Sequence, residues 1–582
     1  MEELKTFNRK SFATDKCSYS IGTGSLGGKA QGLVSINKIL STQFNSNEFS
    51  QLDVLVPRFI VLKTDIFDSF MKQNNLYEIA YSDRPDDRIA HAFQNADLPF
   101  DILGDLRTIS NSTHTPLAMR SSSMLEDAMY EPFAGIYATK MTPNNQHSSD
   151  DRFKKLIEAI KFVYASTYFK AAKDYMKATK HTVEDEKMAV IIQEVVGKRK
   201  SERYYPELSG VARSYNFYPM GRAKHEDGVV NLALGLGKTI VDGGLSWTYV
   251  PSYPKLQPPY ASMSDMLKNT QLEFWSVNMG KPPSYNPSKE TEYMLQNDLL
   301  VAEKDETLKR VASTVDKFSG RLTIGVGADG PRVLTFAPLL QFNDIPINKL
   351  IKKLLKISED FLDAPVEIEF AVTFAKKNGL NKKHQFGFLQ VRPMVVSNEE
   401  VKIEQAELEE SDVLVASKNV LGNGVIDSIE DIVFVNPESF ESKQTSKIAS
   451  ELTALNTKLT QSNTPYLLIG FGRWGSSDPW LGIPVDWSNI SGAKVIVEAT
   501  LENMNVDLSQ GSHFFHNLTS FNVSYFSVPF TSKYKIDWKW LLNSKHEGKS
   551  ELVNHIKLPL PLMIKVDGKN GCGVIKKQRD IS

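Results

Sequence analysis

PLAMRSSSMLEDAMYEPFAGIY, residues 116–137, is the stretch of the chain that says most about its fold. It starts as a strand-like apolar run, passes into a polar loop that follows Arg120, and ends in a Phe-Ala-Gly turn. Elsewhere, residues 152–176 carry apolar side chains at helical spacing. Strand-like or β-rich runs lie at 54–62, with Pro57 inside it, and at 187–196, 208–213 and 229–241. Helix and strand signals that alternate in this way predict a mixed α/β protein.

The composition excludes several classes of protein. The chain has 582 residues, enough for roughly three or four ordinary domains, and 41% of them are apolar and 24% charged. A formal net charge of −1 provides no global field that would favour nucleic acid or an anionic membrane. The two cysteines, Cys17 and Cys572, form no metal-spaced motif and no disulfide scaffold. Because neither a secretion signal nor an apolar run of membrane length is visible, a cytoplasmic location is expected.

An acidic segment, residues 398–412 (NEEVKIEQAELEESD), is the clearest linker, with seven acids against one lysine. A charged surface helix is the alternative interpretation. Beyond it, residues 413–434 return to a β-rich pattern, with Gly422 and Gly424 in a turn. The predicted organisation is an N-terminal lobe at 1–110, a second lobe at 111–397, the linker at 398–412 and a smaller domain at 413–582.

The glycine-rich residues 22–27 (GTGSLG) match the string G-x-G-x-x-G, but they lack the strong preceding strand of a dinucleotide-binding loop. A P-loop fails too, because Ala30 replaces the Ser or Thr that would hold magnesium. What remains is the pair Gly27-Gly28, which delivers Lys29 at the start of a helix. Backbone N–H groups and an ammonium suit a polyphosphate there, and a plain turn with a solvated lysine is the alternative.

A series of short motifs follows in an order that resembles one known family. The motifs are GGKAQGL (27–33), MRSSS (119–123), ED (126–127), FAG (133–135), MAVIIQEVV (188–196), SGV (209–211), GLG (235–237), EIEF (367–370) and LQVRP (389–393). Together they resemble the ATP-binding region of phosphoenolpyruvate synthase, pyruvate phosphate dikinase and rifampin phosphotransferase. The resemblance implies an ATP-grasp-like nucleotide-binding domain, followed by a smaller swivelling β/α domain.

The resemblance also implies that the cofactors are ATP and magnesium, and it assigns residues to the phosphates. Lys29 would bind them as a point charge, while Arg120 and Arg392 would bind them through bidentate guanidinium forks. Arg120 is in addition a catalytic candidate. Gly27 and Gly28 would contribute the backbone of the phosphate-binding turn.

Three further residues are assigned to the metal. Glu369 and Gln390 match the ligands of the family, and magnesium prefers hard oxygen ligands of this kind. Glu367 lies two residues before Glu369, so on a strand both side chains share one face. Glu367 would then be an auxiliary metal ligand or a catalytic base, and a solvated strand face is the alternative for both acids.

The run from Gln193 to Val196 matches the segment where the family holds adenine against an apolar wall. A buried strand is the structural interpretation of the same run, and the two are compatible. Residues 209–211 are followed by Ala212 and Arg213, where the family usually has Phe and Thr.

The C-terminal residues 413–582 resemble the mobile domain on which the family carries a phosphorylated histidine. The sequence places Gly511-Ser512-His513 where the family has Thr-Ser-His, and Phe514 follows in place of alanine. A neutral imidazole is a competent nucleophile near pH 7, so His513 is the candidate phosphoacceptor. The alternative is an ordinary, partly buried histidine.

The leading hypothesis is an ATP- and magnesium-dependent phosphotransferase that passes a phosphoryl group to His513 and then to an unknown acceptor. The acceptor would be a small molecule or a protein, since no segment resembles the barrel that binds pyruvate in the dikinases. A homodimer is left open, and neither nucleic acid nor membrane is expected as a partner. One alternative is a non-catalytic ATP-binding sensor or scaffold, and another is a ligase-type enzyme that forms an acyl phosphate directly.

Overall fold

The computed structural model describes most of the chain as two compact units. Unit 1 comprises Met1–Ser214, Val229–Thr239 and Ser246–Pro393, and unit 2 comprises Tyr215–Gly228, Ile240–Leu245 and Met394–Ser582. The residues outside the description are 1–3, 16, 124–135, 179–185, 218, 220, 221, 257–261, 376–382, 395, 397–400, 477, 479, 503, 505–517, 519, 520, 522 and 579–582.

The strands and helices are numbered along the chain. The strands are β1 (Lys5–Thr6), β2 (Tyr19–Ile21), β3 (Leu52–Leu55), β4 (Phe59–Leu62), β5 (Leu117–Ser123), β6 (Thr139–Thr142), β7 (Met188–Glu194), β8 (Lys198–Lys200), β9 (Arg203–Tyr205), β10 (Leu208–Arg213), β11 (Val229–Ala233), β12 (Trp247–Tyr249), β13 (Glu273–Asn278), β14 (Met294–Asp298), β15 (Ala312–Val315), β16 (Leu322–Ile324), β17 (Arg332–Leu334), β18 (Val366–Thr373), β19 (His384–Pro393), β20 (Val413–Ser417), β21 (Val420–Leu421), β22 (Asn423–Val435), β23 (Tyr466–Phe471), β24 (Arg473–Trp474), β25 (Gly482–Ile483), β26 (Ala493–Ala499), β27 (Ser524–Val528), β28 (His546–Lys549), β29 (Val553–Asp567) and β30 (Cys572–Lys576). The helices are α1 (Arg9–Phe12), α2 (Gly28–Thr42), α3 (Thr64–Gln73), α4 (Tyr77–Tyr81), α5 (Asp86–Asn95), α6 (Phe100–Ser112), α7 (Ser149–Ser166), α8 (Lys170–Ala178), α9 (Lys238–Val241), α10 (Met263–Lys268), α11 (Leu299–Lys304), α12 (Ala337–Phe342), α13 (Ile347–Leu362), α14 (Thr445–Gln461) and α15 (Trp538–Asn543).

Two six-stranded sheets dominate unit 1. The first has the strand order β1-β2-β4-β7-β5-β6, and the second has the order β12-β11-β10-β18-β19-β3. Smaller sheets have the orders β14-β13-β9-β8 and β16-β15-β17. Helices α2 and α13 contribute to a shared core with the second sheet, because Leu33, Ile36, Leu350 and Leu354 are buried in one cluster with Phe370. Apolar residues three and four positions apart on each helix form the buried face.

A single mixed sheet dominates unit 2, with the path β20-β30-β29-β22-β23-β26-β27-β21 and with β28 paired to β29. Its neighbours β22, β23, β26 and β27 are parallel, whereas the long β22–β29 pair is antiparallel. Side chains on β23 and β26 are buried along almost the whole of both strands, as expected for parallel strands covered on two faces.

Two segments that look continuous in the sequence are divided in the structure. The strand-like run 54–62 becomes β3 and β4, which belong to different sheets. Pro57 lies at the division, and because proline has no backbone N–H it cannot continue a ladder. The β-rich run 229–241 ends as a strand at Ala233 and turns helical at Lys238, after Gly235 adopts a φ of +84°.

The alternation of helices and strands confirms the mixed α/β class. Within the described residues, no helix is long and apolar enough to cross a membrane.

Candidate nucleotide-binding site

Arg120 lies on β5 and connects the two large sheets of unit 1. Its Nη2 atom donates to Gln390 Oε1 at 2.7 Å, and its Nη1 atom donates to the carbonyl oxygen of Leu389 at 3.2 Å. Nη1 also donates to Gln193 Oε1 at 3.3 Å. Gln193 is on the first sheet and the other two are on the second, so one guanidinium links interior strands of the two sheets. The side chain remains 14% exposed, which leaves it accessible to a ligand.

Glu369 and Gln390 face this guanidinium from neighbouring strands. They are direct partners in the register of β18 and β19. Glu369 Oε2 lies 3.7 Å from Arg120 Nη2, the same atom that donates to Gln390 Oε1. A carboxylate oxygen and an amide oxygen therefore converge on one point, and this donor set fits magnesium. Among the described residues, no group of three or more His, Cys, Asp and Glu side chains could hold a metal ion.

The N-terminus of α2 is packed against β5. Gly27 precedes the helix with a φ of +75°, and a Cβ atom there would lie 1.9 Å from the carbonyl oxygen of Ser122. Ser122 Oγ accepts the Ala30 N–H at 3.0 Å and donates to the Leu26 carbonyl at 2.8 Å. This packing brings the buried Lys29 close to β5. Its Nζ atom lies 3.4 Å from the Oγ atom of Ser121, which directly follows Arg120 in the chain.

Asp65, which the sequence did not single out, holds the glycine loop before α2. Its carboxylate accepts the backbone N–H groups of Thr23 at 2.9 Å and Gly24 at 2.8 Å. Burial alone would raise the pKa of Asp65, but these hydrogen bonds outweigh it and hold the pKa below its ordinary value. A Cβ atom on Gly22 would lie 2.5 Å from Asp65 Oδ1. The first glycines of the loop therefore accommodate Asp65.

Glu367 has a different environment from Glu369. It is 3% exposed, and its Oε1 atom accepts from Arg392 Nε at 2.8 Å and from Arg392 Nη2. Its Oε2 atom accepts from Arg213 Nε at 2.7 Å. Burial raises the pKa of Glu367, but Arg392 and Arg213 more than offset this, so the pKa lies below its ordinary value. The structure brings Glu367 and Arg392 together as a buried ion pair, with Arg213 as a second partner.

Gln193 and Val196 lie at the end of β7 and just beyond it. Gln193 is 3% exposed, and its Nε2 atom is buried with no hydrogen-bond partner in the described part of the chain. Val196 is buried, and a Cβ atom on Gly387 would lie 2.5 Å from its Cγ2 atom. An apolar wall and an unmet amide donor are thus near the backbone that was predicted to hold adenine.

Other predicted residues fall outside the described residues. They are His513, the acids Glu126 and Asp127, and the turn at 133–135.

Comparison with known proteins identifies the family. The model of the family described as pyruvate phosphate dikinase, AMP/ATP-binding domain, matches residues 23–412. No curated protein matches the chain. The family match confirms the resemblance seen in the sequence motifs and the ATP-grasp type of the nucleotide-binding fold. Because the matched residues make up more than half of the chain, the protein belongs to the pyruvate phosphate dikinase AMP/ATP-binding domain family of nucleotide-binding phosphotransferases.

Proposed function

We propose that the protein is an ATP- and magnesium-dependent phosphotransferase that transfers a phosphoryl group from ATP to His513 and then to a separate acceptor. The observation that carries the proposal is the convergence of Glu369 Oε2 and Gln390 Oε1 on the guanidinium of Arg120. Phosphoryl transfer depends mainly on positioning and on neutralising charge, and this cluster offers a cation beside two metal-type oxygens.

Arg120 and Lys29 would both bind the phosphates, and Lys29 is held near β5 by its contact with Ser121. In this proposal an incoming phosphate competes for the Arg120 fork, whose present acceptors are neutral amide and carbonyl oxygens. A phosphate oxygen is the stronger acceptor because both partners are then charged. Arg392 would contribute to phosphate binding from within its ion pair, because its Nε and Nη2 atoms already donate to Glu367.

Glu369 and Gln390 would hold the magnesium ion, which supplies positive charge to the phosphate oxygens when it is bound. The adenine would lie against Val196, with the backbone of 193–196 reading its edge. The unmet Nε2 donor of Gln193 supports a polar ligand at this position, because a buried donor without a partner costs about 1–3 kcal/mol.

The transfer to His513 can be written with its atoms balanced. A neutral ring nitrogen attacks phosphorus and forms the P–N bond, while the P–O bond to the departing nucleotide breaks and that oxygen keeps the electron pair. The other ring nitrogen then gives up its proton to solvent. Attack at the γ-phosphorus releases ADP and leaves one phosphate on the ring. Attack at the β-phosphorus releases AMP and leaves two, of which the outer one must then be lost to water, so the departing nucleotide reports which phosphorus is attacked.

The test is the intact mass of the purified protein after incubation with Mg²⁺ and ATP. We expect an acid-labile gain of one phosphate in the wild type and in His91→Ala, a control at an exposed histidine of α5, and no gain in His513→Ala. If the wild type binds ATP but gains no phosphate, histidine transfer is wrong. The protein is then either an enzyme that transfers the phosphoryl group directly or a nucleotide sensor, and the departures Gly511 and Phe514 from the histidine motif favour the sensor as the second candidate.

A further inference from the structure

Three residues that face each other on adjacent strands form a buried charge cluster. The register pairs Arg213 of β10 with Glu367 of β18, and Glu367 with Arg392 of β19. Residues directly opposite each other in a sheet present their side chains on one face, so the cluster is a consequence of the strand register. All three residues are no more than 6% exposed. Both carboxylate oxygens of Glu367 are occupied by guanidinium groups.

Arg213 is itself held in place by the next strand. Its Nη1 atom donates to Asn231 Oδ1 at 3.3 Å, and Asn231 Nδ2 donates to Thr248 Oγ1 at 2.8 Å. The bond to the Thr248 hydroxyl defines the orientation of the Asn231 amide, so that its oxygen is directed at Arg213. The Arg213 side chain is therefore held in one orientation, with its Nε atom directed at Glu367.

We infer that Arg213 occupies the place of a cation at Glu367, so that the site takes a single divalent ion, at Glu369 and Gln390. Glu367 is then a positioning residue for Arg213 and Arg392. The inference rests on the proposed nucleotide-binding function and specifies the metal requirement of the same site.

The charge balance supports a single ion. The described site contains four cationic side chains, Lys29, Arg120, Arg213 and Arg392, against the carboxylates of Glu367 and Glu369. It therefore has two more positive than negative charges. A nucleoside triphosphate carries about four negative charges at neutral pH, so one divalent cation brings the complex close to neutrality. A second cation would leave buried positive charge without compensation, which is costly in a low dielectric.

The geometry of Glu367 supports the same conclusion. A metal ion needs a carboxylate lone pair that faces it, and a charge-assisted bond of 2.7 Å to Arg213 uses the one oxygen that Arg392 leaves. To bind an ion there, the carboxylate would have to release an arginine that Asn231 keeps oriented. Breaking one side of a buried, hydrogen-bonded ion pair is strongly unfavourable, because it leaves a buried charge without its partner.

The test counts bound ions, with Mn²⁺ in place of Mg²⁺ and electron paramagnetic resonance as the readout, at saturating non-hydrolysable ATP analogue. We expect one Mn²⁺ per chain in the wild type and in Glu367→Gln, and none held by the protein in Glu369→Gln. Arg213→Met, which keeps an unbranched aliphatic stem but removes the charged guanidinium, should raise the count to two, and Arg213→Lys should restore one.

Two Mn²⁺ ions in the wild type, falling to one in Glu367→Gln, would overturn the inference even if Arg213→Met does not fold. Calorimetric titration with the analogue separates this result from a failure of the proposed function. A wild type that binds the analogue together with two ions contradicts only the single-ion inference. A wild type that does not bind the analogue contradicts the proposed function itself.

Discussion

At the scale of single residues, Arg120 makes the contacts that both join the sheets and define the site. Arg120→Met would keep an unbranched aliphatic stem and remove the fork that reaches Gln390, Leu389 and Gln193. A hydrogen bond to a charged group contributes about 1.5–3 kcal/mol, so we expect affinity for a non-hydrolysable ATP analogue to fall about 10- to 100-fold. Calorimetric titration measures this, and unchanged affinity would remove Arg120 from the site.

A matched control for Arg120 is Arg107, which is about half exposed and pairs with Asp150 on the surface. Arg107→Met should leave the affinity for the analogue unchanged, because an exposed ion pair contributes about 0–1 kcal/mol and lies outside the cluster. Equal losses in both variants would indicate a general effect of removing an arginine.

Gly27 supports a second prediction, because it combines a φ of +75° with the close approach to Ser122. Gly27→Ala adds a backbone cost of about 1–3 kcal/mol, because a φ of +75° with a ψ of 170° is essentially restricted to glycine, to a clash with a carbonyl oxygen that cannot move freely. Gly320 has a φ of +66° but open space around it, so Gly320→Ala measures the cost of a positive φ without a clash. Urea unfolding should show a larger loss of stability for Gly27→Ala, and equal losses would contradict the packing argument.

The side-chain partners of individual site residues were the part of the site that the sequence predicted least well. Spacing on a strand predicted that Glu367 and Glu369 share a face, but it could not say that one is enclosed by arginines. Arg213 is 154 residues away from Glu367 along the chain, so their pairing depends on the register of β10 against β18. Asp65 was missed for the same reason, since its partners are 41 and 42 residues away.

At the scale of elements, β19 starts with a histidine that should make the pairing with β3 sensitive to pH. His384 Nδ1 accepts the Ala375 N–H at 2.9 Å. Its pKa is lowered from the ordinary 6.5 to about 4, because burial disfavours the charged ring and Arg310 and Lys198 repel it. His384 is therefore protonated below about pH 6.5 in the unfolded chain, but only below about pH 4 in the folded chain. Stability should fall as the pH decreases through this window and stay level below it.

The size of this effect is about 1 kcal/mol, since roughly half of the group is exposed and solvent screens part of the shift. His384→Gln keeps a hydrogen-bond acceptor but does not titrate. The urea midpoint of the wild type should therefore drop more than that of His384→Gln between pH 7 and pH 4.5. Parallel midpoints for the two proteins would show that His384 titrates normally.

Elements were predicted from the sequence better than the breaks between them. Helical spacing over 152–176 was correct in type, although the structure divides it into α7 and α8. The division at Pro57 follows from a local rule, the missing N–H of proline. That β3 and β4 belong to different sheets does not follow locally, because strand partners are chosen by contacts elsewhere in the chain.

At the scale of the whole molecule, tertiary contacts assign residues 215–228 and 240–245 to the unit that contains the C-terminal sheet. No shift in composition marks these two segments, so reasoning along the chain could not separate them from the lobe predicted at 111–397. The acidic segment at 398–412 remains a predicted linker. All the described residues proposed for nucleotide and metal binding belong to unit 1.

Because the chain divides into two units, we expect each unit to have its own thermal unfolding transition. Five of the seven tryptophans belong to unit 2, so tryptophan fluorescence reports mainly on that unit, whereas calorimetry reports on the whole chain. A ligand that binds only folded unit 1 stabilises it by about 2.7 kcal/mol at a concentration 100 times its Kd. A saturating ATP analogue should therefore raise one calorimetric transition by several degrees and move the fluorescence transition much less. If the two transitions shift together, the units unfold as one cooperative body, and Arg120→Met should then reduce both shifts at the same analogue concentration, because it weakens the nucleotide binding on which they depend.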